Sequence, residues 1–259
     1  MEPRAYLLDL DGTLYSGDGA IPGAPEALAR LRKQGIPYRL VTNTTRRSRA
    51  MLVQRLRDYG FEVSAEAVFT ATLAGTDVVK GAGYRCVAPF VPQPALSDMQ
   101  DLELCGGTSG RVPSRAPEAV LVGDLGEHWT FALLQEAFGY LMSGAALIAL
   151  SRDRYWHHAG QLALDAGPFV AALEYASGKS AVVAGKPSIG FYAAALRSLG
   201  LDTTASAVMV GDDLWSDVQG AQRAGLQGWL VRTGKYREAV LRESGIKPDR
   251  ILDSVAALG

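Results

Sequence analysis

The sequence predicts an α/β fold, in which a Rossmann-like parallel sheet is covered by helices and interrupted by an inserted α/β domain. Short apolar runs alternate with segments of helical period near both ends of the chain. Such repeated strand–helix units favour a parallel sheet with helices on both faces. The middle of the chain breaks this alternation with a loop-rich stretch over 90–119. We therefore expect residues 1–79 and 180–259 to form the core, and residues 80–179 to form the insertion.

The N-terminal part contains three predicted strands and two predicted helices. The first strand is an uninterrupted apolar run bounded by turn residues, as expected of a strand that is buried on both faces. The first helix has Pro25 near its start and Gly35 at its end, and the second begins after Ser48 and stops at Gly60. In chain order the segments are "RAYLLDL", "APEALARLRKQG", "PYRLVT", "SRAMLVQRLRDYG" and "AVFTA".

The C-terminal part repeats the pattern with the segments "AVVAG", "SIGFYAAALRSLG", "SAVMVG", "SDVQGAQRAG" and "GWLVRT". Ser188 is the predicted N-cap of the first of these helices, and Gly200 is its predicted end. Within the insertion, "AVLVG" and "AALIAL" are predicted strands on either side of a helix over 130–144. Parallel sheets bind ligands at the carboxyl ends of their strands, so the residues that follow the strands are candidates for a site.

The composition is that of an ordinary globular protein and argues against several classes of partner. The net charge of -1 is not that of a general nucleic-acid-binding protein, which is usually basic. The longest apolar run, over 144–150, is too short to span a bilayer, and the first residues lack the apolar stretch of a signal peptide. We expect a cytoplasmic protein that binds neither nucleic acid nor membranes. Its two cysteines, Cys86 and Cys105, are expected to be reduced thiols.

Carboxylates, an amine, a hydroxyl and an amide follow the outer strands. These groups suit phosphoryl transfer, because a carboxylate can attack phosphorus and a second carboxylate can carry the proton. Mg²⁺ prefers oxygen ligands and needs only a few carboxylates, while an amine, a hydroxyl and an amide can hold phosphate oxygens. In chain order the residues are Asp9, Asp11, Gly12, Thr42, Asn43, Lys186, Asp212, Asp213 and Asp217.

The segments that carry these residues resemble the four motifs of the haloacid dehalogenase-like superfamily of phosphohydrolases. "DLDGTL" resembles its first motif, "VTNTT" the second, Lys186 the third and "GDDLWSD" the fourth, in the family's order. The insertion falls between the second and third motifs, as in subfamily IIA with its large α/β cap. Further segments are similar to the branch of the phospholysine phosphohistidine inorganic pyrophosphate phosphatases and to the 4-nitrophenylphosphatases. They are "GPFVAALEYASGKSAVVAGKPS" and "VGDDLWSDVQGAQRAGLQGWLVRTGKYR".

The resemblance implies a role for each of these residues. Asp9 would be the nucleophile and a ligand of Mg²⁺. Asp11 would be the general acid and base, with its backbone carbonyl as a second metal ligand, and Asp212 would be a further ligand. The phosphate would be bound by Thr42, Asn43 and Lys186 together with backbone amides near Gly12, while Asp213 or Asp217 would orient Lys186 or metal-bound waters.

The insertion contains a stretch of cations, aromatic rings and two histidines, "RDRYWHHAG". By analogy with the cap of related phosphatases, we expect its side chains to contact the leaving group. An amphipathic surface loop with a partly packed tryptophan is an equally good interpretation. Arg46 and Arg47 follow the second motif, where they either steer phosphate or, as we favour, form a solvated first turn. The expected contact residues are Arg154, Tyr155, Trp156, His157 and His158.

The sequence favours a Mg²⁺-dependent phosphatase that acts on a small soluble phosphomonoester, phosphoamide or pyrophosphate through an aspartyl-phosphate. The resemblance also implies a possible homodimer through the cap. A dehalogenase is disfavoured, because it has no alkoxide to protonate and therefore no need of Asp11. The alternative from another class is a phosphoacceptor or binding protein of the same fold that does not hydrolyse phosphate.

Overall fold

The computed structural model describes residues 3–17, 19–158, 161–201 and 207–258. The strands are β1 (Ala5–Asp9), β2 (Tyr15–Ser16), β3 (Gly19–Ala20), β4 (Tyr38–Thr42), β5 (Val68–Thr70), β6 (Cys86–Phe90), β7 (Glu103–Leu104), β8 (Ala119–Val122), β9 (Ala146–Ala149), β10 (Tyr155–His158), β11 (Gln161–Leu164), β12 (Val182–Val183), β13 (Ala207–Gly211), β14 (Gln227–Val231) and β15 (Arg250–Leu252). The helices are α1 (Ala24–Lys33), α2 (Arg49–Asp58), α3 (Ala71–Gly81), α4 (Phe131–Met142), α5 (Gly167–Ser177), α6 (Ile189–Ser198), α7 (Gly220–Arg223) and α8 (Glu238–Ser244).

The first of two compact units comprises Met1–Thr42, Ala50–Phe69 and Lys186–Gly259. Its six-stranded sheet has the order β15-β14-β13-β1-β4-β5. The strand β1 lies in the middle and pairs in parallel with β13 and with β4. All five residues of β1 are buried, which explains why its sequence is an uninterrupted apolar run up to Asp9.

The parallel register places the carboxyl ends of three strands at one edge of this sheet. Asp9 ends β1 beside Val41 of β4, and Thr42 is the next residue along β4. On the other side, Leu8 pairs with Val210, so that β13 ends just before Asp212. This is the edge at which parallel sheets carry their sites.

Helices α1 and α2 follow the predicted pattern. Helix α1 has a proline in its first turn and buries Leu28 and Leu31, and Gly35 after it has a left-handed φ of 68°. Helix α6 begins after Ser188 as predicted, but the Ser188 side chain makes no capping hydrogen bond. The segment after β13 is a π-helical stretch, Leu214–Gln219, that continues into α7.

The second unit comprises Asn43–Arg49 and Thr70–Gly185. Its five-stranded parallel sheet has the order β12-β9-β8-β6-β7, and β10 and β11 form a separate antiparallel hairpin. Helices α4 and α5 belong to this unit, and Ala137, Leu141, Val170 and Leu173 on them are part of its hydrophobic core. Both units therefore combine helices with a parallel sheet, and the predicted α/β fold class is confirmed.

The strand after residue 180 differs from its prediction. We expected "AVVAG" to be a strand of the core sheet, but β12 pairs with β9 in the sheet of the second unit. The second unit continues to Gly185, and the first resumes at Lys186. The alternation of strand and helix cannot distinguish two parallel sheets, because apolar runs of this kind occur in both.

The two cysteines also differ from their prediction. We expected reduced thiols, whereas Cys86 and Cys105 form a disulfide with a Cα–Cα distance of 6.4 Å. The cause is the parallel pairing of β6 with β7, which aligns Val87 with Leu104 and lets the Cys105 amide donate a hydrogen bond to the Val87 carbonyl at 2.9 Å. The separation lies within the range that a disulfide can span. The two-residue strand β7 gives no signal in the sequence.

None of the helices in the described part of the chain is long and apolar enough to cross a membrane.

Candidate active site

Four of the predicted site residues meet at the carboxyl edge of the first unit's sheet. The Lys186 ammonium donates to Asp9 Oδ1 at 2.5 Å and to Asp217 Oδ1 at 2.7 Å. Asp9, Lys186, Asp212 and Asp217 are all less than 9% exposed. The buried Lys186 ammonium needs these two carboxylates, since an isolated buried charge lowers the free energy of unfolding by roughly several kcal/mol. The sequence places these residues far apart, and the strand order brings them together.

Three carboxylates of this group could hold a metal ion. One oxygen each from Asp9, Asp212 and Asp217 lies within 4.8 Å of the other two. Among the described residues, both oxygens of Asp217 already accept hydrogen bonds, one from Lys186 and one from the Asp213 amide at 3.1 Å. We therefore regard Asp9 and Asp212 as the better ligands. Asp217 then holds Lys186 in place, which is one of the two roles that the resemblance implies for it.

The electrostatics of the group favour a bound cation. Burial raises the pKa of Asp9 to about 6, and repulsion from Asp212 adds to this against the opposing effect of Lys186. Burial likewise raises the pKa of Asp212 to about 7 and that of Asp217 to about 7. Burial would lower the pKa of Lys186, but Asp217 and Asp9 outweigh it and hold that pKa well above its usual value. The four carboxylates of Asp9, Asp212, Asp213 and Asp217 thus share two ammonium groups, those of Lys186 and Lys235, and a divalent cation would compensate for the excess of negative charge.

These raised pKa values predict how the stability of the metal-free protein depends on pH. In the unfolded chain these carboxyl groups have a pKa of 3.8, and in the folded protein their pKa values are about 6 to 7. The folded state therefore retains protons that the unfolded state releases. The stability that the three groups contribute is fully present below pH 3.8 and is lost as pH rises through about 6 to 7. We expect the Tm of EDTA-treated protein to fall between about pH 5 and pH 7.5. The Asp212→Asn variant, which has one of these groups fewer, should show a shallower fall. An equal fall in both proteins, measured by calorimetry, would contradict this account.

Asp11 directly precedes the turn at Gly12, and its surroundings differ from those of Asp9. Asp11 is exposed, and the hydroxyl of the buried Tyr15 donates to its Oδ2 at 3.2 Å. Gly12 has a left-handed φ of 83°, and its amide donates to the Tyr15 carbonyl at 2.7 Å. The two carboxylates therefore differ in environment, one buried beside a lysine and one facing solvent. Tyr15 was not predicted as a partner of Asp11.

Asp213 begins the π-helical stretch. Its Oδ1 accepts hydrogen bonds from the Trp215 and Ser216 amides at 2.9 Å each, and its Oδ2 accepts one from the Lys235 ammonium at 2.9 Å. Burial opposes ionisation of Asp213, but Lys235 and the two amides outweigh it and lower the pKa to about 2. Asp213 is thus an N-cap that stays ionised, and it anchors Lys235 beside Asp212.

A loop that was not predicted as part of the site follows β14. The Lys235 amide donates to Asp212 Oδ2 at 2.7 Å, and the Thr233 hydroxyl donates to the Gly12 carbonyl. The sequence contained one signal for this loop, since the loop follows a predicted strand of the parallel sheet, and such sheets carry their sites after the carboxyl ends of their strands. The predicted strand "GWLVRT" extends to Thr233, whereas β14 ends at Val231 and leaves Thr233 in the loop.

Thr42 and Asn43, the pair from the second motif, have different surroundings. Thr42 ends β4 beside β1 and is buried. Asn43 belongs to the second unit, where its amide nitrogen donates to Asp153 Oδ2 at 3.3 Å.

Two family models match the chain. One, described as haloacid dehalogenase-like hydrolase, matches residues 6–105, and one, described as HAD-hydrolase-like, matches residues 183–258. Haloacid dehalogenase-like hydrolase domain-containing protein 2 of Bos taurus is 42% identical over 236 residues, which cover 91% of this chain and 86% of that protein. The chain belongs to the haloacid dehalogenase-like hydrolase family.

The similarity extends to proteins that are named as phosphatases. Phospholysine phosphohistidine inorganic pyrophosphate phosphatase of Homo sapiens is 37% identical in an alignment that covers 98% of this chain and 92% of that protein. The solved structure of p-nitrophenyl phosphatase from Archaeoglobus fulgidus aligns with a TM-score of 0.88 at 26% identity, over 99% of this chain and 98% of that one. The family membership inferred from the four motifs is thereby confirmed.

The stretch 154–158, which we expected to contact the leaving group, contains β10, one of the two strands of the β10–β11 hairpin. Arg154 precedes the strand and is exposed, as is Tyr155 within it. Trp156 is half-buried, and the Arg46 guanidinium lies over its ring, 4.8 Å from the centroid. His157 and His158 pair with β11 through their backbone, and their side chains lie outside the described part of the structure.

Arg46 differs from the interpretation that we favoured. Instead of forming a solvated turn, its guanidinium binds the carboxylate of the buried Asp124 through two hydrogen bonds, of 2.6 Å and 3.0 Å. Its side chain is only 33% exposed. This ion pair and the contact with Trp156 tie the segment after the second motif to the hairpin of the second unit. The sequence could not reveal this, because Arg46, Asp124 and Trp156 are distant in the chain.

Proposed function

We propose that this protein is a Mg²⁺-dependent phosphatase that hydrolyses a small phosphorylated metabolite through an aspartyl-phosphate on Asp9. The observation that carries the proposal is the buried Asp9–Lys186–Asp217 group beside the Asp212 carboxylate. This group offers one carboxylate at a strand end together with a fixed ammonium. Family membership and the phosphatases among the relatives support hydrolysis of phosphate esters, phosphoamides or pyrophosphate.

The donor set fits Mg²⁺. Carboxylate oxygens of Asp9 and Asp212 lie close together, and the resemblance adds the Asp11 carbonyl. Mg²⁺ is usually bound by one or two carboxylates plus waters and substrate oxygens, so this small set is sufficient. When bound, the ion would neutralise the crowded carboxylates and stabilise negative charge on the phosphoryl oxygens.

In the first half of the reaction, the Asp9 carboxylate attacks phosphorus and the bond from phosphorus to the leaving group breaks. Asp11, protonated, gives its proton to the leaving atom. The Lys186 ammonium, held by Asp217, would bind the phosphate oxygens with Thr42, Asn43 and the amides near Gly12. Its contact with Asp217 keeps Lys186 in place when Asp9 becomes phosphorylated.

In the second half, water attacks the phosphorus of the aspartyl-phosphate. Asp11, now ionised, takes a proton from that water, and Asp9 and inorganic phosphate are released. The exposure of Asp11 suits this role, since it must exchange protons with the leaving group and with water. The hydrogen bond from Tyr15 holds Oδ2 of Asp11, and no described side chain is seen to bond its other oxygen.

We further propose that the second unit is the cap that selects the leaving group. In this role Tyr155 would be the contact residue, whereas Trp156 would support the hairpin through Arg46. A homodimer through the cap stays a proposal based on the resemblance.

Release of inorganic phosphate from 4-nitrophenyl phosphate tests the proposed function. We expect activity with Mg²⁺, its loss with EDTA and its return when excess Mg²⁺ is added. The Asp212→Asn variant should need a higher Mg²⁺ concentration for half-maximal activity, by about 10-fold or more. Full activity in EDTA would contradict the role of the metal, and no phosphate release under any condition would contradict the function. A panel of phosphorylated metabolites, ranked by kcat/KM, would then identify the substrate class.

A further inference from the structure

The loop Thr233–Lys235 encloses one oxygen of the Asp212 carboxylate. Asp212 Oδ2 accepts a hydrogen bond from the Lys235 amide at 2.7 Å. The Thr233 hydroxyl donates to the Gly12 carbonyl and so ties this loop to the turn after Asp11. The Asp212 side chain is therefore held between two loops that come from different strands of the sheet.

Two glycines make this close approach possible. A Cβ atom added at Gly12 would lie 2.0 Å from Asp212 Oδ2, and one added at Gly234 would also lie 2.0 Å from it. The added Cβ of Gly234 would in addition lie 2.6 Å from the Gly12 Cα. Any side chain at either position would push the carboxylate out of its place. The backbones of both loops thus lie close to Oδ2 on two sides and restrict its movement.

We propose that the loop Thr233–Lys235 is a positioning element for the metal, and that Gly234 sets the affinity for Mg²⁺ by allowing the loop to fix the Asp212 carboxylate. This inference rests on the proposed function in taking Asp212 as a metal ligand. The hydrogen bond from the Lys235 amide holds Oδ2 and thereby restricts the rotation of the Asp212 carboxylate. Mg²⁺ demands a near-ideal geometry, so a carboxylate that is held in advance binds it more tightly than one that must be ordered.

The experiment compares alanine substitutions at two glycines with similar backbone conformations. Gly234 has a φ of 60° and Gly245 a φ of 68°, so both variants place alanine in the left-handed region, but an added Cβ at Gly245 meets no atom within 4 Å. We expect Gly234→Ala to weaken Mg²⁺ binding, measured by titration calorimetry, by about 10- to 100-fold. The Gly245→Ala variant should bind Mg²⁺ as the wild type does. Equal affinities in the two variants would overturn the inference.

A second pair of variants keeps the test decisive if Gly234→Ala does not fold. Thr233→Val removes the hydroxyl that donates to Gly12 with almost no change of shape, whereas Thr233→Ser retains it. We expect the valine variant to bind Mg²⁺ about 10-fold more weakly and the serine variant to restore the affinity. The gain in Tm on adding Mg²⁺ should follow the same order. Valine and serine variants with the affinity of the wild type would overturn the inference.

Calorimetry separates this inference from the proposed function. If the wild type releases phosphate and all variants bind Mg²⁺ with the affinity of the wild type, the result would overturn the inference alone. If the wild type binds Mg²⁺ but releases no phosphate from any substrate, and Gly234→Ala binds Mg²⁺ more weakly, the result would overturn the proposed function alone.

Discussion

Replacing Asp9 by asparagine is expected to abolish phosphate release, with a loss in kcat/KM of at least about 10⁴-fold. The amide cannot attack phosphorus, and it removes the carboxylate of one of the ion pairs that Lys186 forms with Asp9 and Asp217. Because asparagine has nearly the shape of aspartate, the fold should be retained. The measurement is the release of inorganic phosphate from 4-nitrophenyl phosphate at saturating Mg²⁺.

The matched control for this variant is Asp253→Asn. Asp253 is an exposed aspartate of the same unit, whose side chain is 90% exposed and is paired only with Arg232 among the described residues. The control should keep the activity of the wild type. If Asp9→Asn were as active as Asp253→Asn, the nucleophile would have to be another residue.

Replacing Lys186 by methionine is expected to lower kcat/KM by about 10²- to 10³-fold, because the ammonium that would stabilise the charge on the phosphoryl oxygens is lost. The variant also leaves the buried Asp9 and Asp217 without their cation. Breaking a buried ion pair in this way costs ~3–5 kcal/mol of unfolding free energy. Activity assays and urea unfolding of the metal-free protein measure the two effects separately.

The loss of stability in Lys186→Met should depend on pH. At about pH 8 both carboxylates would be ionised and unpaired, whereas near pH 5 they can be protonated, so the destabilisation should be larger at the higher pH. The exposed Lys247, replaced by methionine, is the control and should change neither quantity. A loss of stability that is the same at both pH values would indicate a packing defect instead of unpaired charges.

The centre of the site could be predicted from the sequence because its residues directly follow strong apolar runs. Asp9 ends β1 and Asp212 follows β13, and both strands are buried along their whole length. The rule that parallel sheets carry sites at the carboxyl ends of their strands then brings the two residues together without further information. Lys186 was expected to follow a strand of the same sheet, but that strand lies in the other sheet, so the rule does not account for Lys186 and the resemblance to the third motif does.

The rest of the site depends on contacts that local sequence does not encode. The loop Thr233–Lys235 reaches Asp212 because β14 lies beside β13, an order that is set by the whole sheet. The Cys86–Cys105 disulfide depends on the two-residue strand β7, which is too short to give a periodic signal. The ion pair of Arg46 with Asp124 likewise joins residues that are far apart in the chain.

The central claim, an aspartyl-phosphate on Asp9, can be tested most directly by trapping it. Enzyme is mixed with a phosphorylated substrate and Mg²⁺, quenched during turnover and treated with borohydride, which reduces an acyl phosphate to the alcohol. We predict that mass spectrometry of the N-terminal peptide finds homoserine at position 9, and that omission of substrate abolishes it. Reduction at a different carboxylate, or unmodified Asp9 during active turnover, would contradict the account.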